Sequence, residues 1–415
     1  MNADLRKDAY SIINTCLKEM QPGDAVRRAL KGQTFSGRLF LLAVGKAAWP
    51  MADAAHETLG GKIERGIVVT KYKHSRGQIG AIDIYEAGHP VPDENSYKAA
   101  DAALEMVSEL GESDTLLLLL SGGGSALFEK PLVPPEEIQD INKQLLSCGA
   151  EISEMNTIRK RLSAVKGGRL AEACRGSIYQ IILSDVIGDR LDMIASGPAA
   201  ADSSTCDDAM AIVSKYGLRL SDAAKACLNK ETPKSLRNVK SEIVGSVRLL
   251  CEAAAKEAEQ LGYKAEIMTD SLDCEASDAG KMLAKKAVEW TDQHKDGSAS
   301  ACAFIYGGET VVHIKGTGLG GRNQELALSA AKEIEGLENV LIFSLGSDGT
   351  DGPTDAAGGI VDGQTATKLR EKDISIEEIM ANNDSYNALK EVDGLIMTGP
   401  TGTNVNDVSV LLVQP

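Results

Sequence analysis

The chain has 415 residues, 43 % of them hydrophobic, which is too long for one core and enough for two domains of roughly 150 to 250 residues. A formal net charge of -16 and a pI near 4.9 speak against nucleic acid and anionic membrane surfaces as partners, so any positive potential must be confined to a local pocket. Eight scattered cysteines without a CxxC pair, five histidines without HxxxH or HExxH spacing, no apolar leader and no run of about 18 apolar residues leave neither a disulfide framework, a histidine-held metal nor a membrane span. A cytoplasmic protein with reduced thiols, acting on small molecules, is expected.

Residues 3–20 and 24–31 read as helices, the second capped by Asp24, before RLFLLAV at 38–44 forms the first strand. It runs into Gly45-Lys46-Ala47-Ala48, where small residues let a helix start close to the sheet and Lys46 faces whatever binds at the strand ends. GIVVT at 66–70 and IYEA at 84–87 follow as strands, then the loop GHPVPDENS at 88–96. Its prolines and His89 are expected to shape the loop, contact of His89 and Asp93 with a ligand being the alternative, and Asp93 or Asn95 caps the next helix.

TLLLLLSGGGSALF at 115–128 is the centre of the pattern. Five leucines predict a strand buried on both faces, and Ser121, Gly122, Gly123, Gly124 and Ser125 after it form an anion cradle in which no side chain keeps a phosphate from the backbone. Helices at 135–148 and 151–165 carry NTIRKRLSAVKGGRL, the most basic window of an acidic chain, from which Lys166 and Arg169 stand out beside two glycines. IYQIILSDVIG at 178–188 is a strand whose end presents Asp185 and then Asp189, hard oxygen donors where α/β enzymes place metal ligands and general bases. A polar stretch at 229–241 reads as a linker, with a domain boundary near 240.

Strand and helix then alternate again: strands at 242–246, 264–268 and 300–306, helices at 247–261 and about 275–295. GGETVVHIKGTGLGGRNQELALS at 307–329 predicts a strand between two glycine turns, with a helix opening near Arg322. VLIFSLGSDGTDGPTDAAGG at 340–359 is a strand followed by Asp348, Asp351 and Asp355, TGPTGTNVND at 398–407 is a polar turn, and VSVLLV at 408–413 is the last strand. Gly316-x-Gly318-x-x-Gly321 formally matches the dinucleotide fingerprint, but it lies deep in the chain, runs straight into Arg322 and lacks the acidic residue about 20 positions on. No P-loop pattern occurs. Glycine turns, a few cations and aspartates in turns suit phosphoryl transfer best, ahead of an oxidoreductase and of a sugar-phosphate binding module.

Taken together, AVGKAA, GHPVPDENS, LLSGGGSAL, NTIRKRLSAVKGGRLA, LSDVIGD, GGETVVHIKGTGLGGRNQELAL, SDGTDGPTDAAGG and TGPTGTNVND resemble the class II glycerate kinases, the glycerate 2-kinases with a C-terminal MOFRL domain. The resemblance spans nearly the whole chain. It implies an α/β protein of two α/β domains, a Rossmann-like three-layer domain at 1–240 and a smaller MOFRL domain at 241–415, with the active site in the cleft between them. It also implies ATP-dependent phosphorylation of D-glycerate to 2-phosphoglycerate with Mg2+. The catalytic residues would be Lys46, Asp189 and Arg322. Ser121 to Ser125 would form a nucleotide-phosphate or substrate turn; on the residues themselves, Lys166, Gly318, Gly320 and Gly321 are further cofactor candidates, and Asp185, Asp189, Asp348 and Asp351 are the metal candidates. Hydroxypyruvate reduction with a nicotinamide cofactor is the alternative, and a homodimer is an open expectation.

Overall fold

Apolar runs flanked by glycine turns set the architecture. In the computed structural model, which describes residues 3–294 and 300–415, twelve strands form two six-stranded sheets. The first holds β1 (Leu39–Val44), β2 (Ile63–Lys71), β3 (Ile82–Ala87), β4 (Thr115–Leu120), β5 (Ser177–Leu183) and β6 (Val239–Gly245) in the order β3-β2-β1-β4-β5-β6. From β3 through β5 all neighbours run parallel, with Leu39 to Val44 in register with Thr115 to Leu120. Every residue of β1 and β4 is buried, as the continuous leucines require of strands covered on both faces. This is the doubly wound strand order, and its direction reverses between β1 and β4, so the loops after those two strands border the crevice where such sheets bind ligands.

The second sheet is mixed: β7 (Lys264–Leu272), β8 (Cys302–Gly308), β9 (Val340–Gly346), β10 (Gly358–Asp362), β11 (Leu395–Ile396) and β12 (Asp407–Val413) in the order β11-β10-β9-β12-β8-β7. The central strand β12 is antiparallel to both neighbours, so Asp407 at its start lies level with Gly308 at the end of β8 and Gly346 at the end of β9.

The chain divides into two compact units, Pro22–Val244 and Met1–Gln21 with Gly245–Pro415. A single boundary near 240 therefore differs from the structure in two respects. The strand expected to open the second domain is β6, the sixth of the first sheet. The first helix, Ala3–Glu19, packs on the helix Val247–Gln260 of the second unit, burying Leu5, Ile12, Ile13 and Cys16. Three further expectations shift. The helix after Gln21 begins at Pro22, whose ring suits a first helical position, so Asp24 lies inside its first turn. The stretch after β8 has no strand but one bridge, Val311 to Glu275. The helix expected over about 275–295 runs Ala276–Gln293, residue 295 lying outside the described residues. No helix among the described residues is long and apolar enough to cross a membrane.

Candidate functional site

At the switch point of the first sheet, the turns after β1 and β4 are locked together. Gly45 has a φ of 128°, and a side chain there would overlap Ser121. The Lys46 amide donates to the Gly122 carbonyl at 2.9 Å, and the Ala47 amide donates to Ser121 Oγ at 3.1 Å. The Lys46 carbonyl meets His74 Nδ1 at 3.1 Å. With its backbone held from both sides, half-buried Lys46 has no ion pair or hydrogen bond at Nζ among the described residues. Ser121, expected to touch the cofactor, is 3 % exposed and works as the brace between the two turns.

The three glycines after Ser121 are each required by a neighbour. A Cβ on Gly122 would overlap the Asp185 carboxylate, one on Gly123 would stand 3.1 Å from His89 Nε2 and 3.2 Å from Lys46 Cγ, and one on Gly124 would press on Ala195 at 2.6 Å. Asp185, His89 and Lys46 thus converge on one turn, which Gly123 enters with a φ of 86°. Burial first, and then the positive charges of Lys46, Lys71 and His74, push the His89 imidazole down to about 4, so it is neutral near pH 7.

The loop after β5 carries backbone strain. Asp189 has a φ of 52°, while Ala195, Ser196 and Gly197 have φ values of 50°, 58° and 63° in succession. A non-glycine residue in this region costs about 1 to 3 kcal/mol and persists only where its surroundings enforce it. Here Ser196 Oγ sits 2.9 Å from Ser125 Oγ and donates to Asn156 Oδ1 at 3.0 Å, while its carbonyl accepts from the Gly167 amide. Ser125 therefore ties the glycine turn to the strained loop. Asp189 Oδ1 is enclosed and has no hydrogen-bond partner, an arrangement that a folded chain seldom tolerates without a functional reason.

The basic window folds inward. Lys160 pairs with Asp192 at 2.9 Å and Asp202 at 3.1 Å, Arg161 reaches Asp202 and Glu231, and Arg169 donates to the carbonyls of Lys160, Arg161 and Ser163. Lys166, expected to hold cofactor phosphate, is 2 % exposed and ion-paired with Glu129. Burial lowers its proton affinity and Glu129 opposes that shift. Lys160, Arg161 and Lys166 thus spend their charge on acids supplied by distant parts of the chain.

In the second unit the glycine turn at 316–321 is filled by protein. Side chains on Gly318 and Gly320 would overlap Asp384 and Ser385, and one on Gly321 would overlap Asp351. Asp351 takes the place of a phosphate at the start of the helix Arg322–Glu333: Oδ2 accepts from the Gln324 amide at 2.8 Å and Oδ1 from the Asn323 amide at 3.2 Å. Burial raises the Asp351 carboxyl, and those amides oppose the rise. Gly318, Gly320 and Gly321 are thus packing glycines, and Asp351, expected as a metal ligand, has both oxygens engaged. Asp348 is half-buried, with Oδ1 accepting from the Thr350 amide at 3.0 Å.

Arg322, the first residue of that helix, gathers acids that the sequence left unmarked. Its Nη2 donates to Asp407 Oδ1 at 2.9 Å and its Nε to Oδ2 at 2.5 Å, while Nη1 lies 3.2 Å from Glu309 Oε1. Glu309 directly follows β8, the strand-end position that singled out Asp185, and that signal could have found it; Asp407 opens β12, at the opposite end of a strand, where no such signal marks it. Among the described residues no group of three or more histidines, cysteines, aspartates or glutamates is assembled that could hold a metal.

Two family models match: "Domain of unknown function (DUF4147)" over residues 8–229 and the "MOFRL family" over residues 302–407. A protein of Thermotoga maritima named D-glycerate 2-kinase is 53 % identical over 99 % of this chain and 98 % of its own. A crystal structure of glycerate kinase from Thermotoga maritima superimposes with a TM-score of 0.94 at 52 % identity, covering 99 % of both chains. A protein of Agrobacterium vitis carrying a hydroxypyruvate reductase name is 40 % identical over 91 % of this chain and 87 % of its own. With both models matched and identity above half along nearly the full length, the chain belongs to the MOFRL family of glycerate kinases.

Proposed function

We propose that this chain is a D-glycerate 2-kinase, transferring the γ-phosphoryl group of ATP to the C2 hydroxyl of D-glycerate. The observation that carries the reading is the switch point itself: a lysine without a partner beside a three-glycine turn, with Asp189 and its unsatisfied buried oxygen after the next strand. Phosphoryl transfer asks the protein chiefly to position reactants and to stabilise charge on the moving group. In this reading the turn Gly122–Gly124 receives phosphate oxygens at its backbone, and Lys46 offsets the charge that develops there. The C2 oxygen bonds to the γ-phosphorus, the bond to the β,γ-bridging oxygen breaks, ADP leaves with that electron pair, and Asp189 takes the hydroxyl proton. For Arg322, in the other unit, the reading is that of an anion-binding residue.

Mg2+ takes oxygen ligands and binds through one or two carboxylates plus substrate phosphates. Asp189, with an enclosed oxygen lacking a partner, and Asp185, against Gly122, fit that demand; Asp351 does not, and Asp348 has one oxygen engaged. When bound, the ion neutralises phosphate charge. The eight cysteines are free, in keeping with a cytoplasmic enzyme, and light scattering would decide whether it is a homodimer.

Against the reductase reading stands the state of the one dinucleotide-like motif, whose helix start and Gly321 are occupied by Asp351 and whose Gly316 and Gly318 are packed by Asn382 and Asp384. The test is product analysis with ATP, Mg2+ and D-glycerate, resolving 2-phosphoglycerate from 3-phosphoglycerate. ADP formation that depends on glycerate, with 2-phosphoglycerate as product, is expected. NADH oxidation by hydroxypyruvate without such ADP formation would replace this reading with the reductase.

A further inference from the structure

A guanidinium has five N–H groups in a rigid plane, and its use depends on which of them the protein has already taken. Arg322 spends Nε–H and one Nη2–H on the two oxygens of Asp407, in the parallel geometry that fixes a fork in both distance and orientation. Glu309 stands against Nη1 and is itself held, its second oxygen accepting from Asn406 Nδ2 at 3.0 Å. By count, three N–H groups remain, one on Nη2 and both on Nη1, which lies against the Glu309 carboxylate. The Arg322 side chain is 34 % exposed, whereas that of Asp407 is 8 % exposed.

The place of Asp407 is set by the sheet. It opens the central strand β12 in register with Gly308 and Gly346, two positions without side chains, and a Cβ on Gly346 would stand 3.4 Å from Asp407 Oδ1. The same Cβ would lie 3.4 Å from Asp348 Oδ1, so a second carboxylate borders the slot. A buried carboxylate in a slot of this kind, fixed on a central strand, is a rigid anchor for a long flexible side chain.

We propose that Asp407 is the positioning residue for Arg322: it binds the guanidinium side-on and thereby presents the remaining N–H groups to a bound oxyanion. The inference rests on the kinase reading of Arg322. Asp407 does not touch the anion; it removes the freedom of the group that binds it.

The experiment compares wild type, D407N, R322K and D407N/R322K by steady-state kinetics with ATP, Mg2+ and D-glycerate. Hydrogen exchange of the Arg322 Nε–H resonance, identified by its absence in R322K, is followed alongside. Asp407→Asn keeps the shape but can accept only one of the two parallel bonds, so kcat/KM is expected to fall roughly 10- to 100-fold, in line with losses on disturbing a partner that orients a binding group. In the R322K background the same change should cost less than about threefold, because residues acting through one another are not additive. The Nε–H should exchange slowly in wild type and in D407N like that of a surface arginine. If D407N does not fold, D407S, which likewise cannot accept both parallel bonds, takes its place in the same cycle and exchange measurement.

Losses that multiply independently, wild-type kinetics in D407N, or unchanged Nε–H protection in D407N would each overturn the proposal. Because the exchange measurement needs no turnover, slow exchange lost in D407N together with no glycerate-dependent ADP formation in wild type would uphold the positioning role while removing the kinase reading.

Discussion

Lys46, Asp189 and His89 behave differently because their surroundings differ. Lys46 has its main chain pinned on two sides and its ammonium unpaired, so Lys46→Met should leave the fold in place while lowering kcat about 10²- to 10³-fold, the usual size for removing one charge-stabilising donor. Circular dichroism and a kcat measurement check both halves. Asp189→Asn removes the proton acceptor but keeps a residue that tolerates a φ of 52°, so a rate loss of roughly 10² to 10⁴ is expected without a drop in Tm. Near wild-type turnover would move the role to Asp185. For His89 the folded state holds the imidazole neutral down to about 4, below the ordinary value near 6.5 of an unfolded chain. Between those values the unfolded chain binds a proton that the folded one refuses, so the group's contribution is present above about 6.5 and lost as pH falls towards 4. Replacing His89 with Asn should therefore flatten the decline of Tm over that window; a decline as steep as in wild type would show that the ring titrates normally.

At the scale of elements, the two glycine turns have opposite roles. Gly122→Ala forces its methyl group onto Asp185 in the turn after β4, while Gly321→Ala forces one onto Asp351 at the start of the helix Arg322–Glu333. Overpacking of this kind costs about 1 to 3 kcal/mol. Gly321→Ala should lower Tm with little change in kcat per folded molecule, because it loosens a cap, whereas Gly122→Ala should lose kcat beyond its loss of stability. The reverse pattern, read from thermal melts and active-site-normalised rates, would exchange the assignments. The strained segment at Ala195 to Gly197 owes its shape to the serine pair Ser125 and Ser196 and to the buried charges around Lys160, Asp192 and Asp202. Removing one partner of such a buried pair costs about 3 to 5 kcal/mol.

For the whole molecule, the division of the chain has a direct consequence. The first helix places Leu5, Ile12, Ile13 and Cys16 into the unit that also contains Gly245–Pro415, with Tyr263 donating to Asp8 at 2.7 Å and Ser11 to Glu257 at 2.6 Å. Each buried large apolar side chain contributes about 1.5 to 3 kcal/mol, so deleting residues 1–21 should unfold or loosen the unit of β7 to β12 and spare that of β1 to β6. Hydrogen exchange resolves the two: protection should fall in β8 and β9 and persist in β1 and β4. Equal loss in both sheets would contradict the division.

The sequence by itself determined the alternation of strands and helices, the burial of β1 and β4, and the candidates at the mouths of strands. These rest on local periodicity and on glycine at turns, which neighbouring residues decide. Lys46, the turn at 122–124 and Asp189 stand out as candidates for that reason. Only the tertiary structure decided which charges stay available. Lys166 reads as a cation in a basic window until Glu129 meets it, Asp351 reads as a metal ligand until a helix start takes both its oxygens, and Asp407 is one polar residue among many until β12 lies between β8 and β9. The first helix and β6 changed allegiance on the same ground. Pairing of buried charge and docking of an apolar face are settled by residues tens to hundreds of positions away, and no local pattern carries that information.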